Sequence, residues 1–426
     1  MNIVKNVYQK RVLILALFAG EIMLKNGAEI SRVEDTIVRI CRACKIDYVE
    51  CFATTTGIIL SLDVDNIDSD MHTFIKRISY TTINLSKISA INRFSRVFTS
   101  TDLSIEDGFE QLKEINAIKD YPFGYRLIAS LIIGACMVAP YGGSLRDMLC
   151  SAIAACVAFC SSSAIDLLKF PPFIRIFLGS SLAALTGFLL VKIGLGISVT
   201  PILLGAVTIF MPGVAITNAA RDLLSGDMLA GLSRSAQAVI SAVAIAGGIG
   251  ITMKIWIMSF GNFPSWKFVS YSAPLFILFG IIATFGFCVM FRAPIKQFIT
   301  ISFIGGLGMF VNIGGTMLGN SAFLTCFLGS CIIAIFAEIA AKFRKDATSL
   351  FILPGIIPFV PGNILYQAME CVLEGNFNKA ASYGTDALII SGSIALALIL
   401  VAAVTRLCKE MIRRIRVIIQ KKESAD

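Results

Sequence analysis

The sequence is short of charge and almost without histidine. Only 15% of its 426 residues are Asp, Glu, Lys or Arg, and His72 is the single histidine. Nucleophilic catalysis ordinarily needs a base beside a Ser or Cys, and neither GxSxG nor HExxH occurs. The chain therefore reads as a non-enzyme. Metal ligands are equally sparse. Cys41 and Cys44 form a CxxC with Cys51 nearby, but there is no second pair and only His72 to join it. No metal and no cofactor is expected. "DVDNIDSD" (63–70) lacks the loop Gly and terminal Glu of an EF-hand and reads as a solvated turn. A cleavable leader is not expected: Glu21 interrupts "RVLILALFAGEIM" (11–23) and no small-residue cleavage site follows. A run this short suits a helix buried in a soluble core.

What is abundant is apolar surface. Hydrophobic residues make up 56% of the chain and mean hydropathy is +0.80, too apolar for a soluble protein and ordinary for a polytopic membrane protein. Residues 1–120 hold most of the charge, whereas 122–408 are nearly continuous apolar runs. The net charge of +9 lies in short loops and the tail rather than on one soluble face. It is read as topology-setting, with no nucleic-acid partner. Seven of the twelve Cys fall within apolar runs and serve there as small fillers.

At about 20 apolar residues per crossing, spans are expected at 124–141, 146–168, 173–194, 197–219 and 232–256. A second set falls at 273–291, 295–317, 321–341, 348–369 and 385–408. With the N-terminus cytoplasmic, the inside loops and the tail "RLCKEMIRRIRVIIQKK" carry sixteen Lys and Arg against five outside. This positive-inside bias predicts ten spans with both termini cytoplasmic.

The two sets resemble each other. Residues 212–240 laid over 361–389 match at 8 of 29 positions, starting with Pro212-Gly213 over Pro361-Gly362. Upstream, 177–192 over 327–342 gives six identities in 16. Five spans per unit is odd, so the second copy must enter the membrane from the opposite side. Inverted repeats are a recurring architecture of secondary transporters, with substrate held near the midplane by interrupted helices. The expected fold is thus mainly α: ten transmembrane helices as two inverted five-helix repeats, with a small N-terminal α+β cytoplasmic domain. The expected divisions are 1–120 (cytoplasmic domain), 121–256 (repeat 1), 257–272 (connection), 273–408 (repeat 2) and 409–426 (basic cytoplasmic tail).

Pro212 and Pro361 each remove a backbone donor and Gly213 and Gly362 tolerate a bend. Such breaks survive at membrane depth only where protein or a water-filled cavity covers them. A helix restarting there offers free N–H groups and a positive dipole end to a carboxylate. Beyond the first break, Asn218, Arg221 and Asp222 share one helix face; beyond the second, Asn363, Gln367, Glu370 and Glu374 do. Asp222 or Glu370 would carry a coupling proton and the amides would orient a small polar substrate. The alternative is that Arg221, Asp222 and Asp227 stand in water at a span's cytoplasmic end. Asp166, Glu338, Asp227 and Glu374 are the weaker candidates.

At "PGVAITNAARDLLSGDMLAGLSR", "NGAEISRVEDTI" and the second Pro-Gly block the chain resembles the threonine/serine exporter family of prokaryotic membranes. The likeness covers essentially the whole chain, as a fusion of halves that are separate polypeptides in some relatives. It implies export of threonine and serine across the plasma membrane, driven by the proton motive force. Some split relatives are associated with dicarboxylate export, so a small dicarboxylate such as succinate is the alternative. A membrane-bound sensor is the rival outside transport. Expected partners are the small-molecule substrate, protons and the lipid bilayer; a homo-oligomer is left open. The second copy has Glu370 and Cys371 where the first has Arg221 and Asp222, so a role for that pair need not transfer.

In the N-terminal domain, two helices split at Asn26-Gly27, with Ser31 and Glu34 as a capping box for the second. A strand hairpin is expected over 48–64 with a turn at Thr55 to Gly57. Helices over 72–95 and 104–117 would then lead to the membrane.

Overall fold

The computed structural model describes residues 2–46, 48–62, 73–261 and 269–423, with side chains for all of these except 2–6, 359, 362, 363, 373 and 412–423. The expected turn at 63–70, His72 and the Asn363 side chain lie outside what is described.

Helix α1 (Asn2–Lys25) ends where Gly27 turns left-handed, with φ 86°, and the Ala28 N–H returns to the Met23 carbonyl at 3.1 Å. Its Leu13, Leu15 and Ala19 are fully buried in a core shared with the elements that follow. Helix α2 (Ile30–Ala43) buries Ile30, Val33, Ile37 and Ile40, a stripe at helical spacing. The Ser31–Glu34 capping box does not form. Glu29 is the N-cap, one residue after Ala28, so Ser31 is already inside the helix. Glu34 instead accepts the Ala53 N–H at 2.8 Å, tying α2 to the sheet.

Strands β1 (Val49–Thr54), β2 (Gly57–Leu62) and β3 (Thr73–Arg77) form an antiparallel sheet in that order. The first hairpin closes Thr54 onto Gly57, as the turn residues suggest. β3 corrects the helix expected over 72–95. "TFIKR" pairs through Ile75 with Ile59, and helix α3 (Leu85–Ser100) starts only after Asn84, whose side chain accepts the Lys87 N–H at 3.1 Å. Helix α4 (Ile105–Asn116), capped by Ser104, falls where it is expected.

Eight helices among the described residues are long and apolar enough to cross a membrane, which makes this a multi-pass membrane protein. In the first half they are α5 (Phe123–Cys136, extended by a 3₁₀ turn to Tyr141), α6 (Leu145–Leu167) and α7 (Pro172–Lys192). After the short α8 (Val199–Val207) and α9 (Gly213–Leu224) comes α10 (Met228–Phe260). The second half runs α11 (Ala273–Met290), α12 (Phe298–Met317), α13 (Ala322–Arg344), short α14 (Thr348–Ile356) and α15 (Gly362–Leu373), then α16 (Phe377–Glu423).

The long spans thus number eight rather than ten. The expected spans at 197–219 and 348–369 are broken helices, because Pro212 and Pro361 cannot continue an α-helix. Val199–Phe210 and Gly213–Leu224 meet at 57° and make a ninth crossing if taken as one. α10 extends to Phe260, and α16 continues to Glu423.

Small residues let the helices approach. A Cβ on Gly205 (α8) would lie 2.7 Å from the Gly134 carbonyl (α5), and one on Gly305 (α12) 3.3 Å from the Gly355 Cα (α14). The N-terminal elements sit against the start of α10 and two of the connecting loops. Thr55 meets Ser233 at 2.7 Å, Leu85 and Ser86 donate to the Phe291 and Arg292 carbonyls at 3.0 and 2.9 Å, and Ser89 bonds to Asp346. The loop at Gly142-Gly143 is held instead by Val269 and Tyr271, at 2.8 and 2.7 Å.

Candidate functional site

The two breaks are built alike. Each short helix, α8 or α14, ends in one 3₁₀ turn, Thr208–Phe210 or Ile357–Phe359, followed by an extended residue. Pro212 and Pro361 then take φ −78° with ψ 35° and 36°. Each starts a 12-residue helix without a side-chain cap. The first-turn N–H groups are therefore left for something else to satisfy. The breaks also meet: a Cβ on Gly213 would stand 2.7 Å from the Val360 Cγ1. Ile216 and Leu365 pack in one cluster with Ala238 and Ala387.

Beside this junction is a cavity of about 490 Å³, within the range of small-molecule sites. Pro212, Gly213 and Asn218 line it from the first break, and Pro358 and Val360 from the second. Ser162 and Ser163 of α6 and Gln237 and Ser241 of α10 supply further polar wall, and Asp166 lies at its edge.

The other sequence candidates go elsewhere. Arg221 pairs with Glu29 at 2.8 Å, and Asp222 with Arg234 at 2.9 Å, in a cluster under the α1–α2 turn. Arg234 also donates to the Ala28 carbonyl at 3.3 Å, and Arg32 stands 3.7 Å from Glu29. Burial alone would raise the Glu29 pKa; Arg221, Arg32 and Arg234 outweigh it and hold the carboxyl below the ordinary value. Arg221 and Asp222 do not simply stand in water: Asp222 is 6% exposed. Glu370 accepts from the Tyr366 hydroxyl at 3.1 Å, and neither it, Gln367 nor Pro361 is on the cavity wall. Glu374 caps α15 in an exposed position and Asp227 caps α10. Glu338 accepts from Thr348 at 3.0 Å and pairs with Lys409 at 3.2 Å; Asp166 pairs with Arg175 at 2.6 Å.

Several residues here have no obvious sequence signal. Arg234 and Arg292 count in the charge bias as topology residues, yet both line the cavity, as do Arg126 and Arg175. Glu29 is hidden within "NGAEISRVEDTI"; its distance of 192 residues from Arg221 conceals the pairing. The CxxC thiols and their neighbour are chemically quiet, since burial pushes Cys41 and Cys51 up to about 12 and raises Cys44 as well.

Comparison with known proteins places the chain. The family described as "Putative threonine/serine exporter" matches residues 14–256, and the family described as "Threonine/Serine exporter, ThrE" matches 276–404. A probable threonine/serine exporter of Mycobacterium tuberculosis is 21% identical over 408 residues, 93% of this chain and 76% of that protein. A threonine/serine exporter of Corynebacterium glutamicum is 22% identical over 411 residues, 90% of this chain and 81% of that protein. A probable succinate transporter subunit of Klebsiella aerogenes is 23% identical over 253 residues, 58% of this chain and 95% of that protein. No solved structure matches. With one family match spanning more than half of its length and a second continuing through the remaining helices, the chain belongs to the threonine/serine exporter family.

Proposed function

We propose that the chain is a secondary transporter that exports threonine and serine in exchange for protons, with its two halves inverted and its termini in the cytoplasm. The broken helices α8–α9 and α14–α15 then count as one crossing each, giving ten. Residues 1–120 form a cytoplasmic domain, 121–256 and 273–408 the two repeats joined by 257–272, and 409–426 a basic tail.

Two observations support the inversion. Contacts between the halves are reciprocal: α9 packs on α16 as α15 packs on α10, and α5 meets its counterpart α11. Such exchange is what a two-fold relation produces. An odd number of crossings per half makes that two-fold an inversion. Equivalent left-handed turns also carry opposite residues. Lys169, Arg292 and Lys345 have φ 57°, 53° and 56°, where the other half has Gly319, Gly142 and Gly194 at 76°, 67° and 81°. A left-handed non-glycine costs about 1–2 kcal/mol, so the cations are chosen against local preference. All three belong to loops on the expected inner face.

The observation that carries transport is the shared cavity, formed by one interrupted helix against the other. Unsatisfied N–H groups at Gly213 to Ala215 suit a carboxylate, and Asn218 orients the polar part of the solute. Asp222 is the coupling carboxylate in this reading. It holds Arg234, which also lines the cavity, so its protonation would release that guanidinium toward the solute. Dicarboxylate export is the second reading, favoured by the Klebsiella aerogenes relative.

Proteoliposomes loaded with labelled threonine, serine or succinate test this. Efflux of the hydroxy amino acids that follows an imposed pH gradient is expected; succinate efflux alone selects the second reading, and no translocation of any of the three defeats both.

A further inference from the structure

Four guanidinium groups line the cavity: Arg126, Arg175, Arg234 and Arg292. Three are matched by acids, Arg175 by Asp166 at 2.6 Å, Arg234 by Asp222 at 2.9 Å and Arg292 by Asp120 at 2.9 Å. Arg126, in the first turn of α5, is different. Among the described residues it joins no ion pair; its Nε, like those of Arg234 and Arg292, is buried without a hydrogen-bond partner, but here no carboxylate stands beside it, and its guanidinium lies 5.7 Å from the centre of the Phe159 ring. A buried guanidinium nitrogen without an acceptor is costly, and the ring face recovers only part of that cost. Arg292 lies close enough to feel it: after burial, the repulsion from Arg126 is among the influences that lower the Arg292 pKa, against the pull of Asp120. The cavity therefore carries one cation in excess of its acids.

We propose that Arg126 binds the carboxylate of the transported solute. This rests on the transport reading and gives the carboxylate a charged side-chain partner in the cavity that the free N–H groups of Gly213 to Ala215 also line. The guanidinium would offer paired N–H donors to a single carboxylate in a partly desolvated site, while the hydroxyl and amide groups of Ser162, Ser163, Gln237 and Asn218 meet the remainder of the solute. The chemical class is a small carboxylate, and a single unmatched charge favours one carboxylate per ligand.

Calorimetric titration of the purified full-length protein in detergent tests the assignment, with threonine, threoninol and succinate as probes. Threoninol keeps the amine and hydroxyl but replaces the carboxylate by an alcohol. The wild type is expected to bind threonine roughly 10- to 100-fold more tightly than threoninol. In Arg126→Gln that gap should close while threoninol affinity stays at the wild-type level, which also shows that the variant is folded. Arg126→Lys should recover part of the gap, because it keeps the charge but not the fork. Equal binding of threonine and threoninol by the wild type, or a gap that survives Arg126→Gln, overturns the proposal. Succinate bound more tightly than threonine, and lost in Arg126→Gln, upholds the anchor while removing the amino-acid reading. Threonine bound through Arg126 but never carried in proteoliposomes upholds the anchor and removes transport.

Discussion

The breaks at Pro212-Gly213 and Pro361-Gly362 share a backbone and differ in company. Dihedral angles at the two prolines agree to within 1°, both helices that follow are 12 residues long, and left-handed Gly226 and Gly375 close them alike. Yet the first helix carries Arg221 and Asp222 into ion pairs with Glu29 and Arg234, while the second carries Glu370 into a bond with Tyr366. Backbone geometry is what the halves hold in common, because a broken helix needs only a proline, a glycine and a covered site. The side chains have diverged: Arg221 ties the helix after the first break to Glu29 of the N-terminal elements, whereas Glu370 bonds within its own helix, and the second half meets the N-terminal elements through Arg32 and Ser349 of α14 at 3.2 Å instead.

The largest effect should come from closing the gap between the breaks. Gly213→Ala places a methyl 2.7 Å from Val360, whose β-branched side chain has little freedom to yield. Threonine efflux from proteoliposomes should fall by about 100-fold, and Val360→Ala on top of it should restore most of the loss. Failure of that rescue would break the idea that the two elements share one junction.

Next in size is the buried pair of the first half. Arg234→Gln leaves Asp222 without its partner and should lower unfolding stability by about 3 kcal/mol, read by chemical denaturation in detergent. Glu370→Gln, which keeps an acceptor for the Tyr366 hydroxyl but makes it neutral, should cost no more than about 1 kcal/mol. Equal losses would erase the asymmetry. In transport, Asn218→Ala should raise KM about fivefold and Gln367→Ala leave it nearly unchanged, since only Asn218 lines the cavity.

The smallest effect is one of pH. Because Glu29 has its pKa below the ordinary value in the folded protein, its contribution is fully present above the unfolded value of about 4.3. It is lost as pH falls through the lower, folded value. Amide exchange at residues 26–36 should therefore rise below about pH 4, and Glu29→Gln should show the raised exchange already at pH 7.

Much of this was legible before the structure. Apolar runs mark the spans because lipid demands some 20 residues per helix, and Pro212 and Pro361 mark the breaks because proline cannot donate. The helix–hairpin–helix order of the N-terminal elements follows from Asn26-Gly27 and the β-branched run of β1 and β2, while β3 and the Asn84 cap do not. The start of α3 was obscured because 73–77 alternates like a strand yet borders helical residues. The charged cluster was illegible for another reason. Arg234 and Glu29 have ordinary neighbours in sequence, and only the return of α10 beneath the α1–α2 turn joins them. Arg126 is hidden in the same way, for a lone cation at the start of a span looks like every other topology charge.

The inversion of the halves is most directly tested by labelling one cysteine at each of two equivalent turns, Lys169→Cys and Gly319→Cys, in a background with the twelve native cysteines replaced. In intact cells an impermeant maleimide should reach position 319, and position 169 only after the membrane is opened. Both positions reacting from the same side would contradict the account.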